Sequence, residues 1–429
     1  MQIAVHGLWH LGCVTVACLA EAGFQVVGID PRPRVVADLC RGVPPLLEPG
    51  LPELLAAGLA SGRLRISGDP REASDAAVLW VTFDTPVNEE DVADFGYIRN
   101  RFEEVAPHLR PGTLVLVSSQ VPVGFTRSLE AQWQGKGLRF ACAPENLRLG
   151  KALECFRRPE RVVIGRRQKS DEKVLAALFA PFCARLEWMS VESAEMTKHA
   201  LNAFLATSVT FINEVARLCE AVGADAKEVE RGLKSEGRIG PGAYLSPGGA
   251  FAGGTLARDV QFLTECGRTR RVRTPLMEGV WASNDLHKGW IPAQVRRLLG
   301  EETGPVAAVL GLTYKPGTST LRRSEALQLC GQLTRWGVRV RAHDPAVQAL
   351  PEDTQSGVEL CATAEEALLG ADVAVLATAW PDYRRLRADD LVRWMRRAQL
   401  IDPNHFLDHQ VGADPRVTYV ATGRLRSAA

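Results

Sequence analysis

The chain has no apolar run approaching the ~20 residues needed to cross a bilayer. It has no basic run or acidic tail that would point to nucleic acid. Lysine and arginine number 51 against 50 acids, a formal net charge of +1, so an anionic ligand must be met by local groups. Ten cysteines occur without a CxxC pair or a ladder of spacings, which argues against a disulfide framework and against a zinc site. Cys13, Cys18, Cys219 and Cys330 fall in apolar, helix-like patterns and read as reduced core thiols of a cytoplasmic protein. The opening MQIAVHGL lacks a basic, apolar, cleavable leader and reads as a strand. With 46% hydrophobic residues over 429 positions, the chain can bury sizeable cores, and its length implies two or three domains.

The longest regular pattern runs from Glu192 to Gly223. Apolar or small residues recur there with helical spacing, among them Met196, Ala203, Phe204, Phe211, Ile212 and Leu218. Ser193 reads as its N-cap and Gly223 as its stop. About thirty residues at ~1.5 Å each make a rod of roughly 45 Å. Its length and broad apolar surface predict a helix that connects two halves and carries a dimer contact. Lys198 and Asn202 sit one turn apart on one face. They read either as a solvated lysine beside an interface asparagine, or as two polar groups aimed into a cleft.

Residues 2–6 form a short apolar strand, followed by the turn GLWHLG, a small-residue helix from about Cys13 to Ala22, and the strand FQVVGID ending at Asp30. These are the parts of a dinucleotide-binding unit: the helix N-terminus would face a pyrophosphate and the acid would bind ribose hydroxyls. The fingerprint wants three glycines, and this chain has Gly7, Trp9 and Gly12. Trp9 puts an indole where backbone normally approaches phosphate. Further strand runs at 76–83, 113–119 and 161–165 continue the alternation, with LRFACAPE between the last two. Ligands gather at the carboxyl ends of such strands, which marks Thr85, Ser119, Gln120 and Glu145 by position. From position alone, turn or helix-capping roles are the simpler reading of the same residues.

A polar helix at 226–234 precedes EGRIGPGAYLSPGGAFAGGTLARD, with seven glycines in 24 residues. Glycine at that density permits left-handed backbone and close approach to a ligand. Tyr244, Leu245 and Phe251 argue against a disordered linker. Helices then run to about Leu299. From GPVAAVLGLTYKPGT onward a second nucleotide-binding-type α/β section follows.

In this order the pieces LLEPGLPELL, VPVG, APENLRLG, RPERVVIG, AEMTKHALNAFLA, RIG, GLTYKPGT and HDP resemble the UDP-glucose/GDP-mannose dehydrogenase family. The resemblance covers nearly the whole chain. It implies an α/β fold with two Rossmann-like parallel-sheet domains, at 1–190 and 301–429, joined by a helical middle domain at 191–300. It implies NAD as cofactor, a nucleotide-sugar substrate, a homodimer through the long helix, and oxidation of the sugar 6-hydroxyl. By matching positions, Lys198 and Asn202 would hold the reacting end of the sugar. Glu145 and Asp259 would be acid/base and water-holding groups. Gly7, Trp9, Gly12, Asp30, Thr85, Ser119, Gln120 and Arg322 fall on the cofactor side. Leu147, Arg238, Tyr244, Gly253, Tyr314 and Lys315 fall on the substrate side, with Arg238 reaching in from the partner subunit. No metal is implied.

The departures are specific. Thr255 stands where the family has its nucleophilic cysteine. A thiolate forms near neutral pH because a thiol's pKa is about 8.5; a threonine hydroxyl needs a dedicated base. Gln120 replaces a threonine, Leu149 a glutamate, and Thr320 and Arg323 two acids of an Asp-x-Arg-Glu stretch. Asp402, Pro403 and Asn404 replace Asp-Gly-Arg. These changes cluster on site positions while folding positions read intact, which favours a specialised site over a decayed one. The leading expectation is a nucleotide-sugar dehydrogenase that removes one hydride. Rivals are oxidation of an aldehyde hydrate, a non-catalytic binding homologue, and tightly held NAD used for epimerisation.

Overall fold

Short runs of Val, Ile, Leu and Ala, most of them followed by a turn and a helix, build two separate sheets, one largely and one wholly parallel. The computed structural model describes residues 1–46, 48–86, 93–145, 147–252, 254–351 and 357–424. The chain divides into two compact units, Met1–Ala200 and Leu201–Ala429, the division falling inside the long helix.

In the first unit β1 (Gln2–His6), β2 (Gln25–Ile29), β3 (Leu64–Ser67), β4 (Val78–Val81), β5 (Leu114–Val117), β6 (Arg139–Cys142), β7 (Val162–Arg166) and β8 (Leu186–Met189) form one sheet, ordered β3-β2-β1-β4-β5-β6-β7-β8. Neighbours are parallel except β6 and β7. Successive residues of a strand face opposite sides. Ile3 and Val5 accordingly enter one buried cluster with Leu19 and Leu55, while Ala4 enters another with Ile29 and Phe102. Strand order reverses direction between β1 and β4, the point where open α/β sheets bind ligands.

The helix after β1 starts at His10, three residues earlier than the sequence pattern implied, and runs to Glu21. It is buried from Leu11 to Ala20, which its small residues permit. Strands β3 and β8, like the antiparallel setting of β7, are not marked in the hydrophobic pattern.

The long helix spans Val191–Val222. Ser193 lies inside its first turn, and its backbone N–H donates to Ser190 Oγ at 3.2 Å, so Ser190 takes the capping role expected of Ser193. Gly223 ends the helix in a left-handed conformation, φ 79°, and donates to Cys219 O at 3.0 Å.

In the second unit β9 (Val306–Leu310), β10 (Arg339–His343), β11 (Val358–Leu360), β12 (Val373–Leu376), β13 (Gln399–Ile401) and β14 (Thr418–Val420) form an all-parallel sheet ordered β11-β10-β9-β12-β13-β14. Helices Ala226–Ser235, Thr255–Arg270, Pro275–Lys288 and Trp290–Leu299 precede it. The two sheets repeat one device. Gly7 and Gly311 both have positive φ, at 102° and 88°. Asp30 after β2 accepts the N–H of Leu8, and Asp344 after β10 accepts those of Leu312 and Thr313, so each acid holds the glycine turn of the neighbouring strand. No helix among the described residues is long and apolar enough to cross a membrane, and none of the ten cysteines forms a disulfide.

Candidate active site

The turn after β1 is fixed by contacts that only glycine permits. A Cβ on Gly7 would lie 2.6 Å from the Phe83 ring, and one on Gly12 would lie 1.9 Å from Gly7 O. Thr82 Oγ1 donates to Gly7 O at 2.8 Å, tying the turn to the end of β4. Trp9 has φ −97°, so its backbone tolerates a side chain. Its ring lies 5.2 Å beneath the Arg32 guanidinium.

Asp30 is fully buried. Its Oδ2 accepts Leu8 N and Arg32 Nη2, both at 2.8 Å, and its Oδ1 accepts Arg32 Nε at 2.8 Å and Arg32 N at 3.0 Å. Burial alone would raise this carboxyl; the hydrogen bonds from Arg32 and Leu8 hold it below the usual carboxylate range.

Thr85, Ser119 and Gln120 meet at the carboxyl ends of adjacent strands β4 and β5. Thr85 Oγ1 donates to Gln120 O at 2.5 Å. Ser119 Oγ is buried and has no partner among the described residues. Ser119, Gln120, Glu145 and Lys198 line one small cavity. Lys198 Nζ donates to Glu145 O at 2.7 Å, and the Glu145 carboxylate accepts Leu147 N at 2.5 Å. The Leu147 side chain packs on the sheet's core. Glu195, which the sequence did not single out, is buried and accepts Gly124 N at 2.6 Å and Thr126 N at 3.0 Å. It caps the helix Phe125–Gln132 from outside, fixing the loop that carries Gln120. Burial raises its carboxyl. The glycine cradle, the orphaned Ser119 hydroxyl and the acid after β2 fit a dinucleotide.

In the second unit the glycine-rich stretch is held by side chains. Asn213 accepts Gly248 N at 3.0 Å and donates to Gly249 O at 3.1 Å. Asn284 bonds both backbone groups of Phe251 at 2.9 Å. His287 Nε2 donates to Gly248 O at 2.8 Å, and Ser246 Oγ donates to Glu230 at 2.7 Å. Leu245 and Phe251 are buried as expected, whereas Tyr244 is 59% exposed. The stretch ends in the helix Thr255–Arg270, with Thr255 exposed as its first residue. Asn202 Nδ2 donates to Asp259 Oδ2, and both residues are buried. Arg323 puts Nη1 3.5 Å, and Tyr314 its hydroxyl 3.6 Å, from where a Gly254 Cβ would stand. Those are ordinary contact distances, and it is the positive φ of Gly254, 114°, that favours glycine there.

Tyr314 and Lys315 follow β9 and line a cavity of about 460 Å³ with Phe251, Trp290, Glu325 and Asn404. Arg322 is exposed. The Arg238 side chain is 89% exposed and pairs with Glu236 at 3.0 Å. Gly253 lies outside the described residues. Among the described residues no group of three or more His, Cys, Asp or Glu side chains could hold a metal.

Family models of the UDP-glucose/GDP-mannose dehydrogenase family match in series: the NAD binding domain over residues 1–183, the central domain over 192–286 and the UDP binding domain over 308–409. UDP-glucose 6-dehydrogenase of Pseudomonas aeruginosa is 34% identical over 100% of this chain and 98% of its own length. A UDP-glucose dehydrogenase structure from Pyrobaculum islandicum superposes with a TM-score of 0.87 at 28% identity, covering 99% of this chain and 98% of that one. A UDP-D-ManNAc dehydrogenase structure from Pyrococcus horikoshii gives 0.84 at 25%, covering 99% of both. The first domain therefore implies NAD as cofactor.

Proposed function

The chain belongs to the UDP-glucose/GDP-mannose dehydrogenase family of NAD-dependent nucleotide-sugar dehydrogenases, and on that premise we propose that it oxidises the 6-hydroxyl of a UDP-hexose and stops after one hydride. The observation that carries this reading is the helix Thr255–Arg270. Its first residue is a threonine where the family has cysteine, while Asp259, one turn on, keeps its bond from Asn202.

NAD, when bound, supplies the hydride acceptor. Gly7, Gly12, Trp9, Asp30, Thr85, Ser119, Gln120 and Arg322 are its proposed contacts. Lys198 and Asn202 stabilise the alkoxide that forms as the sugar hydroxyl loses its proton. A preorganised donor at such an oxyanion contributes on the order of 3 kcal/mol. Glu145 and Asp259 are the acid/base and water-holding groups. Leu147, Tyr244, Gly253, Tyr314 and Lys315 contact the nucleotide sugar. Without a thiol, no covalent adduct holds the aldehyde for a second oxidation, and the carbonyl product leaves.

The functional domains are 1–190, 191–300 and 301–429. The protein works in the cytoplasm, a reading supported by its ten unpaired cysteines. It pairs as a homodimer through the long helix. Phe204, Phe211 and Leu218, seven residues apart, are 69%, 49% and 64% exposed on one face of it. Arg238, turned to solvent within its own unit, serves the partner's substrate. The experiment is a count of NADH formed per UDP-glucose consumed, with hydroxylamine to trap a carbonyl. One NADH and a trapped carbonyl are expected; two NADH and a carboxylate would remove the single-hydride reading.

A further inference from the structure

In dinucleotide folds the acid after the second strand does two things. It binds the adenosine ribose hydroxyls, and as a bare anion it repels a 2′-phosphate; folds that take the 2′-phosphate place an arginine nearby. This chain has both groups, joined. Asp30 is buried, and its two oxygens receive Nε and Nη2 of Arg32 at 2.8 Å each. The Arg32 side chain is 40% exposed. A guanidinium carries five N–H donors in a planar fork, and the Asp30 bonds use Nε and Nη2, leaving Nη1 pointing away from the acid. The Trp9 ring, 5.2 Å from the guanidinium carbon, supports it on one face. Arg34, two residues on, has a side chain 96% exposed and pairs loosely with Asp38 at 4.0 Å. The acid that follows the adjacent strand β3, Asp69, is itself paired, with Arg71 at 2.7 Å. The end of β2 therefore presents a neutralised carboxylate, a stacked guanidinium and a second arginine, where NAD-selective sites present a bare carboxylate.

We propose that the adenosine pocket accepts NADP as well as NAD, with Arg32 as the residue that meets the 2′-phosphate and Trp9 as the platform that holds its guanidinium. This assigns the Trp9 substitution a purpose: the indole replaces a glycine to brace an arginine. The proposal rests on the turn after β1 being the dinucleotide site.

The test uses binding alone. Calorimetric titration of the full chain with 5′-AMP and with 2′,5′-ADP isolates the contribution of the 2′-phosphate. 2′,5′-ADP is expected to bind at least as well as one tenth of the 5′-AMP affinity, and NADP to do likewise against NAD. Arg32→Ala is expected to shift the ratio of the two affinities at least tenfold against 2′,5′-ADP, with Arg32→Lys between. The wild-type ratio needs no variant, so a misfolded mutant does not block the answer. A wild-type 2′,5′-ADP affinity more than tenfold below that of 5′-AMP overturns the proposal, as does an Arg32→Ala variant that weakens both ligands equally. If 5′-AMP and NAD also fail to bind, the dinucleotide-site assignment falls, and this inference with it.

Discussion

Asn202 donates its side-chain amide to the buried Asp259 carboxylate, joining the long helix to the first turn of the helix that Thr255 begins. A buried carboxylate deprived of a donor is costly, and a hydrogen bond to a charged group contributes about 1.5–3 kcal/mol. Asn202→Ala is therefore expected to lower unfolding free energy by about 2 kcal/mol, read as a shift of the urea midpoint. Asn202→Asp, which sets two carboxylates together, should cost more at neutral pH than at acid pH. A neutral effect of both substitutions would show that this bond is not structural.

Lys198, the proposed donor to the sugar alkoxide, places its Nζ 2.7 Å from the Glu145 backbone oxygen. Loss of one preorganised donor at a developing oxyanion lowers kcat on the order of a hundredfold. Lys198→Ala is expected to show that loss at saturating sugar, with KM changed less than kcat. A defect confined to KM would make Lys198 a binding group only.

Glu230 anchors the glycine-rich stretch through Ser246 and pairs with Lys227 and Lys234. Burial would raise its carboxyl, but those three side chains together hold it down at about 2, against an ordinary value of 4.5. The folded-state value lies below the unfolded one, so its contribution is full above about pH 4.5 and is lost as pH falls toward 2. Glu230→Gln should lower the urea midpoint at pH 7, and the gap to wild type should narrow steadily through that acid window. A gap independent of pH would mean that the amide simply fails to replace packing.

How much of this was legible in the sequence depends on the distance over which each feature acts. The turn of Gly7 and Gly12, the acid at position 30 and the helical run to Gly223 are local patterns, and each was readable. Order in the glycine-rich stretch was readable from Leu245 and Phe251, both buried. The Asn213, Asn284 and His287 side chains that hold it come from elsewhere in the chain and were not. Glu195 caps a helix whose first residues lie about seventy positions earlier, and no spacing rule links them. Arg32 was visible two residues after Asp30, but only geometry shows its guanidinium turned back onto the acid and over Trp9. The apolar pattern leaves the first helical residue open by a turn, and Ser190, not Ser193, stands at the cap.

Phe204, Phe211 and Leu218 recur every seven residues and are exposed. Two helical turns span about seven residues, so the three share a face. Phe211→Glu is expected to convert a dimer to a monomer at micromolar concentration, read by light scattering, because a buried unpaired carboxylate opposes association. A wild-type monomer under the same conditions would end the dimer proposal.

On the single-hydride proposal, Thr255 sets how far the oxidation goes. It is exposed at the start of its helix, one turn before Asp259. A thiol there would be helped toward thiolate by the helix N-terminus; a hydroxyl is not ionised near neutral pH and needs a base to attack a carbonyl. In the proposed mechanism Lys198 and Asn202 still support the first hydride transfer, so Thr255→Val should leave the rate of that step within a few-fold of wild type. Thr255→Cys should raise the NADH count per sugar above one and yield a fraction of carboxylate. Full conversion is not expected, because Gln120 and Arg323 also depart from the family pattern. Each variant is scored by NADH per sugar and by the trapped carbonyl. Two NADH and a carboxylate from wild type, abolished in Thr255→Val, would make the threonine a nucleophile and reverse this assignment.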